Sequence, residues 1–398
     1  MEVSKKLIIY NAVLNTIKHY LWKKTFMDKE FDKFMKENEV RIGNDKDFTT
    51  TPPLYYQSLN DAFRNYFNTL RNNKDTFHFL LDFKFWNREA IGFNFNNSDS
   101  AVFTILGFHR FFELLLKDIL RRINPFLAVK FPENEEMTIK FHNNELNAEQ
   151  METVEFKKAY DRFKETIKYN EHNQQKNEYA IIQEFSFLND DALVILARWR
   201  NRIIHNGNTI PNIYLLDYFV TQKLIPLVAK VVETDKNNFK NGLPHYFETF
   251  TGIKIIDEIQ KIKYDYKDFR NEEKAKELAF KLLHIAHLKE LGRARYGIEY
   301  TLKNNISYFE PYYENPIERN KRFALQEKIH PAYNAIKTCP CCGFDTLVVY
   351  KKEYDDILTL KKDFISWFNC YTCNYSLKNN LGDPSYFGIC KEPIFATK

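Results

Sequence analysis

Glycine and proline are scarce in this chain of 398 residues, with 11 Gly and 13 Pro. A fold of many short strands needs such residues at its turns, so the composition weighs against an all-β protein and favours long helical segments. No stretch approaches the ~20 apolar residues of a membrane span. The opening MEVSKKLIIYNAVLNTIKHYLWKK has neither an uninterrupted apolar core nor a small-residue cleavage site, so it reads as an amphipathic helix and not as a signal peptide. Cysteine is absent before position 339, and all six Cys lie between 339 and 390, which argues against a disulfide framework for the whole chain. A cytoplasmic protein with a local metal site fits that distribution. Acidic residues are absent between Asp191 and Asp217.

Apolar material is plentiful: hydrophobic residues make up 44% and aromatics 16%, with 36 Phe. That is enough for a packed interior and excludes global disorder. The 58 Lys and Arg against 53 Asp and Glu leave a formal charge of +5, too small for a nucleic-acid coat, so any basic site must be local. The length points to two or three domains.

Apolar spacing predicts helices over residues 5–37, 58–71 and 74–88, broken by TTTPP at 49–53. The segment NNSDS at 96–100 supplies caps for a helix running to Ile123, stopped by Asn124-Pro125. That helix is apolar around most of its circumference, except for a polar line of His109, Glu113 and Lys117 at i, i+4 steps. The line reads as an internal polar network or as a supporting part of a site. MTIKF at 137–141 alternates as a short strand or hairpin arm. Further helices are expected over 153–169, from Asn189-Asp190-Asp191 to Asn206-Gly207, over 212–233, and over 271–291 with Lys289 late and Gly292 as its stop. TDKNNFKNGLP at 234–244 reads as a linker.

The stretch RWRNRIIHNG, at 198–207, closes a capped helix with three arginines, an asparagine and a histidine. Asn201 and His205 are i, i+4 neighbours, so the amide can orient the imidazole. Arg198 is two turns before His205 on nearly the same face, while Arg200 projects to the side. A helix C-terminus suits a cationic side chain. Cleaving RNA without a metal needs a base for the 2′-OH, an acid for the leaving 5′-oxygen and cations for charge on phosphorus. One such helix holds one His, so a two-fold dimer would assemble a fuller set. The competing reading is a solvated basic face with a capping His.

Arg200, Asn201 and His205 match the R-N-x-x-x-H form of the R-x4-6-H motif, and this chain resembles the HEPN-domain ribonucleases over about residues 95–235. FHRFFELLLKDIL resembles the first helix of that bundle. Arg198 also satisfies the motif at its six-residue spacing. The resemblance implies a catalytic set of Arg200, Asn201 and His205 at a homodimer interface, metal-independent endoribonuclease action leaving 2′,3′-cyclic phosphate ends, and a setting of phage defence or a regulated toxin with an activator or regulatory partner.

TCPCCGFD and NCYTCNYS carry two C-x2-C pairs, Cys339/Cys342 and Cys370/Cys373. Two such knuckles complete a tetrahedral zinc shell with no place left for water, so the zinc is expected to be structural. Cys341 and Cys390 read as non-ligands. The β-rich segments LVVYKKEY and FISWFNC suit a zinc ribbon. Its Lys351, Lys352, Lys361 and Lys362 and its Tyr350, Trp367 and Tyr371 either contact nucleic acid or, for the aromatics, form the ribbon's own core.

The expectation is thus a mainly α protein: a helical N-terminal extension at 1–94, a HEPN-like bundle at 95–235, a helical connector at 236–330 and a zinc ribbon at 331–398. Its function would be an endoribonuclease, with a non-catalytic nucleic-acid- or protein-binding adaptor as the alternative.

Overall fold

The computed structural model describes residues 53–69, 98–131, 135–143, 145–172, 179–206, 213–236, 239, 247–265, 267–268, 272–306, 316–351, 365–378 and 383–390. The helices expected over 5–37 and 74–88 lie outside these residues. The architecture is mainly helical, with one small antiparallel sheet near the C-terminus. From Tyr55 onward the chain belongs to one compact unit, Tyr55–Lys398.

Helix α1 spans Leu54–Asn68 and α2 spans Ser98–Ile123. They cross closely because Gly107 of α2 has no side chain: a Cβ there would lie 2.8 Å from the Cα of Ala62. Phe63 meets Phe108 edge-on at 5.2 Å between ring centroids, a geometry that suits the ring quadrupoles. Phe108, Phe111, Phe112, Leu115, Leu116 and Ile119 of α2 are all buried, as its all-round apolar pattern requires.

Residues Glu135–His142 form α3, a helix where the sequence alternation favoured a strand. Five alternating residues are too few to separate the two periods, and no described strand lies beside this segment to pair with it. Helix α4 spans Phe156–His172, α5 Ala180–Glu184 and α6 Asp191–Asn206. The side chain of Asp190 accepts from the backbone N–H of Ala192 at 2.7 Å and caps the start of α6. Helix α7, Ile213–Phe219, passes through a π turn at Val220–Leu224 into α8, Ile225–Thr234. The turn sits just before Pro226, which offers no N–H to the preceding turn and widens the ladder there.

The expected linker at 234–244 is anchored where it is described. Asp235 is buried and accepts from the Tyr55 hydroxyl at 2.6 Å and from the Arg122 guanidinium at 3.2 Å, tying α1, α2 and the end of α8 together. Phe239 is buried against the rings of Tyr55 and Tyr56.

Helix α9 is Ile255–Lys261, and α10 runs for 35 residues, Glu272–Ile306. Gly292 does not stop α10. It is a packing glycine, since a Cβ there would stand 2.5 Å from the Phe67 ring. Nor does Lys289 complement a helix end: it is buried in mid-helix, 1% exposed, with its Nζ 2.7 Å from the Asp217 carboxylate of α7 and over the Tyr66 ring.

Helix α11, Pro316–Gln326, leads into a four-stranded antiparallel meander, β1 Tyr333–Lys337, β2 Leu347–Lys351, β3 Ile365–Cys370 and β4 Ser376–Lys378. Most buried hydrophobic residues from Tyr55 to Ile389 pack as one continuous core, and Ala324, Val348 and Tyr350 form a small second cluster. That core crosses the positions 94/95, 235/236 and 330/331 at which the sequence pattern changes. The described residues contain no helix long and apolar enough to cross a membrane.

Candidate metal centre and basic helix

The sulfur atoms of Cys339, Cys342, Cys370 and Cys373 all lie within 4.8 Å of one another, and all four residues are buried. Cys339 Sγ is 3.5 Å from Cys373 Sγ, and Cys342 Sγ is 3.6 Å from Cys370 Sγ. Four thiolates around zinc at ~2.3 Å would stand ~3.8 Å apart, so the cluster has the size that a tetrahedral metal requires.

The two knuckles fold alike. Gly343 follows the first pair at φ 76° and Asn374 follows the second at φ 57°, the left-handed conformation that glycine and asparagine adopt most readily. In each, that residue's N–H donates to the carbonyl of the first Cys, Gly343 to Cys339 and Asn374 to Cys370, both at 2.9 Å. Thr346 Oγ1 lies 3.3 Å from Cys370 Sγ and adds a hydrogen bond beside that thiol.

The centre is fastened to α10. Glu290 and Arg293 pair on the side of α10 that meets the sheet, with Glu290 buried. Glu290 accepts from the Ser376 N–H at 3.0 Å, and Arg293 donates to the Asn374 carbonyl. Cys341 is not part of the cluster. Its thiol faces the Leu291 carbonyl at 3.8 Å, and its own carbonyl accepts from Phe250 N–H at 2.9 Å. Cys390 is half-buried.

Tyr350 and Trp367 stack at 3.6 Å between centroids, and the hydroxyls of Tyr350 and Tyr371 both donate to Glu327, at 2.8 and 2.6 Å. Tyr350 is buried beneath this cover, so its face is closed to a stacking base. Lys352, Lys361 and Lys362 lie outside the described residues.

Helix α6 packs on α2 and through Trp199 on Phe219 of α7, at 4.6 Å between rings. Its outer side exposes Arg198, Asn201, Arg202, Ile204 and His205, whereas Arg200 is half-buried. Successive helical residues turn by about 100°, which puts Arg198 about 20° from His205 and Arg200 about 140° from it. The expected hydrogen bond from Asn201 to His205 is not formed. Asn201 Oδ1 accepts instead from Arg200 Nη1 at 3.0 Å. Gly207 lies outside the described residues.

The polar line of α2 lies within the electrostatic reach of Arg200. There Lys117 Nζ donates to Glu113 at 2.6 Å and to Thr153 Oγ1 at 3.3 Å, and His109 Nδ1 is 3.7 Å from the same carboxylate. His109 is 6% exposed and its ring lies on Phe156 at 4.5 Å. Burial pushes its pKa down to about 4; Glu113 opposes this, while Arg200 and Lys117 reinforce it. The line is a network joining α2 to Thr153 and Phe156.

Sequence reasoning missed the Lys289–Asp217 pair and the Glu290–Arg293 clamp. The available signal was a run of charged residues inside an otherwise apolar stretch, LLHIAHLKELGRARYG, where an exposed face would have left a one-sided pattern. No family model, no curated protein and no solved structure matches this chain.

Proposed function

We propose that this protein is an endoribonuclease of the HEPN type, acting on RNA as a homodimer and carrying a structural zinc in its ribbon. One observation supports the reading above the others: the end of α6 presents His205 with Arg198 and Arg202 on one exposed face, in a stretch with no carboxylate from position 192 to 216. Cations free of internal carboxylate partners are what a phosphate backbone recruits.

In this reading a base removes the proton of a ribose 2′-OH, whose oxygen attacks the adjacent phosphorus. The bond to the 5′-oxygen breaks, and an acid protonates the leaving oxygen, giving a 2′,3′-cyclic phosphate and a 5′-OH. His205 serves as acid or base, an arginine of the motif neutralises charge on phosphorus, and the His of a second copy supplies the complementary role. Cys339, Cys342, Cys370 and Cys373 would hold a metal that cross-links the two knuckles, and a site filled by four thiolates would leave no position for reaction chemistry. A setting in phage defence or toxin action, with an activating partner, accompanies this reading.

The test is incubation of the protein with end-labelled RNA and a DNA control, without added divalent metal. Cleavage of RNA alone, with cyclic-phosphate ends, and its loss in His205→Ala are expected. RNA binding without cleavage, unaffected by that substitution, would replace this reading with the adaptor.

A further inference from the structure

We infer that Arg198, supported by Arg202, is the arginine that contacts the scissile phosphate beside His205, and that Arg200 is instead engaged with Asn201 on the side of α6. This rests on the ribonuclease reading and changes which residue of the motif meets the substrate.

Helical phase carries the assignment. Arg198 and His205 are seven residues apart, two turns on one face and about 10 Å along the axis, with Arg202 one turn before His205 on that face. All three are exposed. Among the described residues none of them forms an ion pair, while acidic Asp191 stands two turns earlier at the helix start. Arg200 lies on the opposite side. It is half-buried, it spends one N–H on Asn201 Oδ1, and its charge acts on His109 of α2. A phosphate lying on the His205 face meets Arg198 directly, whereas the Arg200 backbone stands about 140° around the helix and its guanidinium is engaged by Asn201. Asn201 stands between the two arginines on the exposed side and holds the Arg200 guanidinium by its Oδ1.

The experiment compares Arg198→Ala, Arg198→Lys, Arg200→Met and His205→Ala in the full-length protein, with a labelled single-stranded RNA. Cleavage rate and the salt dependence of binding to His205→Ala-inactivated protein are both read. Arg198→Ala is expected to slow cleavage by about 10²–10³-fold and to lower the slope of log K against log salt by about 0.7, the value of one phosphate contact on a single strand. Arg198→Lys should restore the slope but not the rate, since an ammonium lacks the bidentate fork. Arg200→Met should leave the slope intact, with any loss of rate matched by loss of folded protein in a thermal melt. The assignment is overturned if Arg200→Met removes both rate and slope in well-folded protein while Arg198→Ala keeps them. Wild-type protein that neither cuts nor binds RNA overturns the ribonuclease reading itself, and this inference with it.

Discussion

The cysteine centre and the end of α6 are both short sequence patterns, yet the fold completes one and not the other. Each C-x2-C knuckle closes within its own turn, and the four sulfurs meet inside a single chain. The basic helix exposes His205, Arg198 and Arg202, and no described residue bonds to the imidazole. A metal shell needs only four like atoms at equal distances, which local turns and one sheet can deliver. Acid–base cleavage needs two unlike groups on opposite sides of a reacting phosphate, and one helix cannot hold both.

The two regions are joined by α10. Lys289 reaches Asp217 on α7, next in sequence to α6, while Glu290, Leu291 and Arg293 grip the knuckles. The largest effect should therefore come from opening the metal centre. Cys370→Ser removes one ligand and the acceptor beside Thr346, and bound zinc should fall from about one atom per chain to near zero. Metal content by mass spectrometry checks this. Because the knuckles share the core with α10, melting of the helical signal should move down with it. A helical melt unchanged in metal-free protein would show that the ribbon is a detachable appendage.

Next in size is the joint itself. Lys289→Ala strands the Asp217 carboxylate in the core, and breaking a buried pair from one side costs about 3–5 kcal/mol. Replacing both partners, Lys289→Met with Asp217→Leu, should recover most of that loss, which urea unfolding of the three proteins would measure. If the single and double variants were equally unstable, packing volume and not charge would be what this joint contributes.

The same contrast explains what the sequence made legible. The α2 and α6 helices, the α6 cap at Asp190 and both knuckles were readable, because each rests on residues within a few positions of one another. Gly343 and Asn374 show this best: the turn after each second Cys demands a left-handed residue, and the sequence supplies one. Gly292 shows the limit. A glycine after an amphipathic run reads as a stop, and only the Phe67 ring, more than 200 residues earlier in the chain, makes it a close-packing position. The short α3 was misread for a different reason, a segment too brief for its period to be measured.

The smallest effect tests the electrostatic link between α6 and α2. With a folded pKa of about 4 against 6.5 for an exposed imidazole, His109 stays neutral in the folded protein while the unfolded chain takes up a proton below pH 6.5. Its contribution is therefore fully present above pH 6.5, lost progressively as pH falls, and flat below about pH 4; the total is up to roughly 3 kcal/mol. Urea midpoints of wild type and His109→Gln, measured from pH 7 to pH 4.5, should diverge in that direction, with wild type losing more. Glu113, Lys117 and Arg200 are the charged groups acting on this ring, and only the first favours its protonation. Arg200→Met should therefore shrink the wild-type slope, whereas Arg198→Ala, on the far face, should leave it alone. Equal slopes in Arg200→Met and wild type would mean that the guanidinium does not act on the buried ring of α2, and the electrostatic link between α6 and α2 would be lost.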